Sequence, residues 1–205
     1  MPTPFDWYAE LKSWQQSLAS LLGFGALMVA ALFNYHLNRR RDQRLREEEA
    51  NAVAAALYGE ILLIRIEVAR AIRALALSHR RRELEGKEGS IDEHFLEAFP
   101  LPEPLLYKSL AAKIGMLSPD LILAITEFHS NYQEVRSSIP LLLHKEDRGF
   151  SYTPLAVLRP ARDAVMKIRP ALRRIENLVP VASPAADPNL SEVEDLIDVE
   201  EFNRG

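Results

Sequence analysis

The 205-residue chain contains no cysteine. Disulfides, cysteine-ligated zinc, iron–sulfur ligation by cysteine and thiol catalysis are therefore excluded, although the cellular compartment stays open. Glycine is scarce, eight in all, and scattered, so neither the phosphate-cradling G-x-x-x-x-G-K loop nor the G-x-S-x-G nucleophile turn occurs. The five histidines stand at 36, 79, 94, 129 and 144. None lies three or four residues from another, which removes H-E-x-x-H, and none has a glutamate three residues before it, which removes the E-x-x-H of di-iron bundles. They read as surface or interfacial side chains. No run of β-branched or aromatic residues alternates with period two, so strands are not expected.

Charge is near balance, 25 basic against 29 acidic residues, but segregated. From Pro180 onward seven acids face only Arg204, so the tail carries −6 and the remainder +2. A body so weakly basic lacks the footprint of a nucleic-acid binder. Nor do aromatic side chains interleave with its basic ones.

No charged residue occurs between Ser13 and Asn38, and the apolar heart runs from Leu18 to Phe33. Taking residues 17–37 as a helix gives about 31 Å at 1.5 Å per residue, close to a bilayer core of about 30 Å. Its eight strongly apolar side chains favour insertion by about 3 to 4 kcal/mol. Trp14 and Tyr35 stand at the two ends, where amphipathic rings prefer the interface. Behind the stretch come Arg39, Arg40, Arg41, Arg44 and Arg46, against Asp6, Glu10 and a lone Lys12 ahead of it. The positive-inside rule then places residues 1–16 outside and everything after the arginines in the cytoplasm, in a bacterial inner membrane by this reading. Ala19, Gly23, Ala26 and Ala30 line one face and would let a second helix approach closely.

Residues 38–49 read as a juxtamembrane helix, basic and then acidic, and 50–179 as a cytoplasmic helical bundle. Three long apolar seams recur at four and three. The first is Ala50, Ala54, Leu57, Ile61, Ile64, Val68, Ala71, Leu75. The second is Leu121, Ile125, Phe128, Tyr132, Val135, Ile139, Leu142, opened by Ser118-Pro119-Asp120 as cap and first turn, with Pro140 expected to kink or break it near Ser137. The third is Leu158, Ala161, Val165, Ile168, Leu172, Ile175, Val179, started by Thr153-Pro154. A shorter one, Leu106, Leu110, Ile114 and Leu117, follows Pro104. Ser90 and Glu93 form an S-x-x-E cap for a short helix through Phe99.

The first seam has two uses, an intrachain core or a parallel coiled coil in which Glu60 of one chain meets Arg65 of another. Against the coil, Leu62, Leu63 and Ile66 would be left in water. Glu60 and Glu67, seven apart, read as a solvated edge or ion-pair partners, and Glu127 and His129 flank Phe128 toward the two edges of their seam. Arg159, Arg162, Arg169 and Arg173 form a basic stripe suited to an anionic ligand, a phospholipid headgroup or an acidic peptide.

Pro180, Pro184 and Pro188 suggest an extended linker, and residues 180–205 a Pro-rich acidic tail, disordered without a partner. Within it Ser191 and Glu194 repeat the S-x-x-E cap, and Val193, Leu196 and Ile197 alternate with acids as in a segment that folds on a partner or on the arginine stripe.

The expectation is therefore an all-α chain: one amino-terminal transmembrane helix, a cytoplasmic bundle and a disordered acidic tail. No catalytic, cofactor or metal residue is identified. The implied role is a membrane-anchored, non-enzymatic scaffold, sensor or regulatory module with the bilayer and a protein, a second copy of the chain included, as partners; no small-molecule substrate is indicated. The competing role is a membrane effector that oligomerises through the small-residue face to perturb the bilayer.

Overall fold

A computed structural model describes residues 7–84, 94–143, 153–179 and 184–203. Every regular element among them is helical: α1 (Trp7–Leu84), α2 (His94–Ala98), α3 (Leu105–Leu110) continued by a 3-10 segment (Ala111–Met116), α4 (Pro119–Leu143), α5 (Leu155–Lys167), α6 (Arg169–Leu178) and α7 (Ser191–Phe202). The chain divides into two units, residues 1–48 and 49–205.

In the first unit the large apolar side chains Leu21, Leu22, Phe24, Leu27, Met28, Val29, Leu32 and Phe33 are all exposed. Among the described residues no helix is long and apolar enough to cross a membrane. The stretch Leu18 to Phe33, apolar but for Ser20, reaches only about 24 Å at 1.5 Å per residue, and the polar Asn34, His36 and Asn38 follow it. The expected transmembrane helix at 17–37 thus gains no support from the fold.

In the second unit the three long seams turn inward. From α1, Ala54, Leu57, Ile61, Ile64, Val68, Ala71 and Leu75 are buried, as are all seven seam residues of α4. Leu158, Ala161, Val165, Ile168, Leu172 and Ile175 close the core from α5 and α6. Helix α4 packs most extensively on α5, which also touches α6 and α7. The intrachain use of the first seam therefore prevails over the coiled coil.

Several local expectations are corrected. Helix α4 runs through Pro140 to Leu143. Proline there forfeits one hydrogen bond close to the carboxyl end, while Ile139 and Leu142 on either side stay buried and hold the last turn to the core. Pro170 instead marks the break, at the start of α6, and divides the third seam into two helices. The Pro104 helix is shorter than its pattern and tightens after Leu110 into 3-10 geometry. Ser118 makes no side-chain cap, since its Oγ is buried with no partner among the described residues. Thr153 does assist its helix, its Oγ1 accepting from the Leu155 N–H at 3.2 Å. The Ser90–Glu93 cap lies outside the described residues.

The largest correction is the tail. Residues 184–190 run without regular structure, α7 follows, and Leu190, Val193, Leu196 and Ile197 are buried in the main core. These four aliphatics, at roughly 1.5 to 3 kcal/mol each, favour docking by about 6 to 12 kcal/mol before the entropy of ordering is subtracted. The described part of the tail is thus a structural element of the body rather than a disordered appendage. Ser191 does not cap it: the cap position is Leu190, and the Ser191 N–H is taken by Asn189 Oδ1 at 3.0 Å.

Candidate functional site

The most constrained polar region of the second unit centres on Arg65, which interrupts an apolar helix face yet is only 1% exposed. Burying an arginine is costly unless its donors are met. Here its Nε donates to the Val165 carbonyl at 2.8 Å, one terminal nitrogen to the Ala186 carbonyl at 3.4 Å, and the other to Asp187 Oδ1 at 2.8 Å. The first of these carbonyls lies in the last turn of α5, where the helix dipole favours a cation. Arg169 Nε holds the second Asp187 oxygen at 3.0 Å. The hydrogen bond from Arg65, reinforced by the charges of Arg169 and Arg173, holds the Asp187 carboxyl below its ordinary range.

One turn along, the same strap is gripped through its backbone. Arg173 donates to the Ala185 carbonyl at 3.1 Å, and Glu176 accepts the Ala185 N–H at 2.8 Å. Arg173 pairs with Glu176 Oε2 at 2.8 Å, and Tyr58 donates at 2.8 Å to Oε1, the oxygen that also accepts the Ala185 N–H. Burial would raise the Glu176 carboxyl, but the Ala185 N–H, Arg173 and Tyr58 together bring it below its usual value. Burial and then the adjacent Glu176 charge push the Tyr58 phenol up. Residues 185–187 are thus fastened by four side chains, Arg65 of α1 and Arg169, Arg173 and Glu176 of α6, with Tyr58 bracing Glu176, arranged as a clamp.

The arginines of the stripe take separate partners. Arg159 pairs with Glu201 at 2.6 Å, and Arg169 and Arg173 take the Asp187 carboxylate and the Ala185 carbonyl, so three of the four reach residues of the tail. Arg162 turns to its neighbour Asp163 at 2.9 Å. Two further contacts bind α7 to α1, Arg73 with Glu192 and His79 with Glu200, both at 3.1 Å.

Glu60 and Arg65, paired between chains in the coiled-coil reading, are both spent within the chain. Glu60 is buried and accepts the Leu106 and Tyr107 N–H groups at 2.6 and 2.8 Å, which satisfies two orphan donors at the start of α3. Glu67 pairs with Arg70 at 3.1 Å and Glu127 with Lys167 at 3.1 Å, as ordinary helix-edge partners. His129 departs from expectation: it is 6% exposed, stacks on Tyr107 at 3.7 Å, and neither ring nitrogen has a partner among the described residues. Burial drives its pKa down to about 4, so at neutral pH it is an uncharged core ring. Among the described residues no group of three or more histidines and carboxylates gathers to hold a metal ion.

In the first unit Ala19, Gly23, Ala26 and Ala30 are exposed, and a Cβ added at Gly23 would meet nothing within 4 Å. Arg39, Arg40, Arg41, Arg44 and Arg46 are exposed as well. Beside the clamp lies an open groove of about 550 Å³ floored by Leu62, Ile66, Leu77 and Phe99, with Arg70 and Arg73 along it. Sequence reading missed Arg65 as a structural residue, although a charge set directly between Ile64 and Ile66 was the available signal.

No protein family, curated protein or solved structure matches this chain.

Proposed function

We propose that the protein is a membrane-anchored, non-enzymatic helical adaptor, a scaffold or regulatory module whose second unit presents a surface to other proteins at the cytoplasmic face. The observation that carries this is the exposure on all sides of α1 of the large apolar side chains from Leu21 to Phe33. An apolar sleeve of that size is costly in water and marks an interaction with lipid or protein. The uncharged run extends beyond it, from Ser13 to Asn38, so residues 17–37 span the bilayer with Trp14 and Tyr35 at the interfaces and the five arginines on the inner side. Tethering raises the effective concentration of the second unit for a partner in the same membrane. The polar groups of the clamp and of the α3 start are consumed in holding the fold, which favours an interaction role over a catalytic one.

The test is membrane flotation of full-length protein after carbonate washing, combined with reporters fused at each end. Flotation with the carboxyl-terminal reporter active only in the cytoplasm is the expected result. Protein that stays at the bottom of the gradient, or a reporter on the opposite side, overturns the reading. In-membrane crosslinking with mass spectrometry then identifies the partner.

A further inference from the structure

Within the second unit an outward stripe of α1 keeps large apolar side chains exposed. The core-facing seam of α1 is sealed, but Leu63, Ile66 and Leu77 remain 54, 51 and 49% exposed. Leu63, Ile66, Arg70, Arg73, Leu77 and Arg80 follow one another at three and four residues, so they form a single stripe that is apolar and basic at once. Glu67 and Glu192 offset Arg70 and Arg73, whereas Arg80 has no ion pair among the described residues.

Directly beside this stripe lies α7. A groove of about 230 Å³ between the two helices is lined by Leu77 and Arg80 on one side and Asp195 and Val199 on the other. Leu77 also lines the larger groove. The outer side of α7 exposes Asp195, Asp198, Val199 and Phe202. The whole face is therefore basic along α1, apolar where Leu77 meets Val199, and acidic along α7.

A patch divided in this way is complementary to itself. Turned by a half rotation, a second copy sets its acidic half on the first copy's arginines, and the apolar centres meet; this is the condition for a two-fold, isologous interface. An acidic partner helix would satisfy only the α1 half and a basic one only the α7 half, while a second copy satisfies both. We infer that the α1–α7 face is the homodimer interface of this protein. The inference goes beyond membrane anchoring and does not require it.

The experiment uses the full chain in detergent micelles, with mass followed by sedimentation across protein concentration and salt. Wild type is expected to dimerise and to weaken as salt rises, since charge pairs contribute. Two variants, Arg70→Glu with Arg80→Glu, and Asp195→Arg with Asp198→Arg, each bring like charges together and should weaken self-association by roughly a hundredfold or more. Mixed in equal amounts, the two should recover a heterodimer, which a contact within one chain cannot explain. Leu77→Gln, at a half-exposed position, serves where a charge reversal lowers the melting temperature; it should weaken the dimer by about tenfold. A monomeric wild type overturns the inference. So does unchanged dimerisation of the variants, which would move the contact elsewhere, for example to the Ala19–Ala30 stripe, and so does a mixture that fails to associate. Flotation reports on the anchor independently, so the two readings fail separately.

Discussion

Removing the Asp187 carboxylate should destabilise the second unit through Arg65. In Asp187→Ala the guanidinium stays buried, with the Val165 and Ala186 carbonyls but without the counter-charge now 2.8 Å away. Breaking a buried pair by deleting one member costs about 3 to 5 kcal/mol. The Asp187 side chain is 30% exposed, so water relieves part of this, and about 2 to 3 kcal/mol is expected. For a unit of this size that lowers the melting temperature by roughly 5 to 10 °C. Arg65→Met removes the charge that needs Asp187 and fills the space with an apolar chain; Asp187→Ala in that background should then cost below about 1 kcal/mol, a coupling of about 2 kcal/mol. Urea unfolding of the four proteins, followed by circular dichroism, measures the cycle. Additive effects within about 0.5 kcal/mol would refute the claim that the strap is held by charge pairing with Arg65.

Other predictions follow from the same geometry. With the folded His129 near 4 and the ordinary value near 6.5, the unfolded chain binds more protons between these limits, so stability is full above about pH 6.5 and falls as pH drops toward 4, by about 3 kcal/mol from this residue; His129→Phe should flatten the melting profile over that window, and an unchanged slope would show that the ring is not buried neutral. Asp187 and Glu176, with lowered folded values, contribute stability above the ordinary carboxylate range and lose it at lower pH, so their loss follows that of His129 as acid is added. Glu60→Gln weakens the charge-assisted bonds to Leu106 and Tyr107 and should cost about 1 to 2 kcal/mol, with faster amide exchange at those two positions as the specific readout. Ile197→Ala should cost about 2 to 5 kcal/mol, although it lies in the segment that composition marks as disordered; a shift of a few tenths would mean that α7 is not part of the core.

The helical seams were legible because period is local. Leu121 to Leu142 and Leu57 to Leu75 carry the four-and-three spacing in the residues themselves, and any helix built from them has a face that must be covered. Proline meaning was less local: Pro140 and Pro170 look alike in sequence, yet one is absorbed near a helix end and the other starts a new helix, according to what packs beside them. The capping patterns at Ser118 and Ser191 satisfied a motif without forming its hydrogen bond, because neighbouring groups set the backbone entry.

What residue order determined by itself is the helical class, the core stripes and the uncharged amino-terminal run. Tertiary structure alone decided the fate of the polar residues. Arg65 and Asp187 lie 122 positions apart, and Glu60 reaches Leu106 across 46, separations at which periodicity carries no information. A charge on a helix edge looks the same in sequence whether it ends in water or in a clamp. Only the arrival of a distant carbonyl or carboxylate supplies the compensation that makes burial affordable, and that arrival is a property of the assembled core.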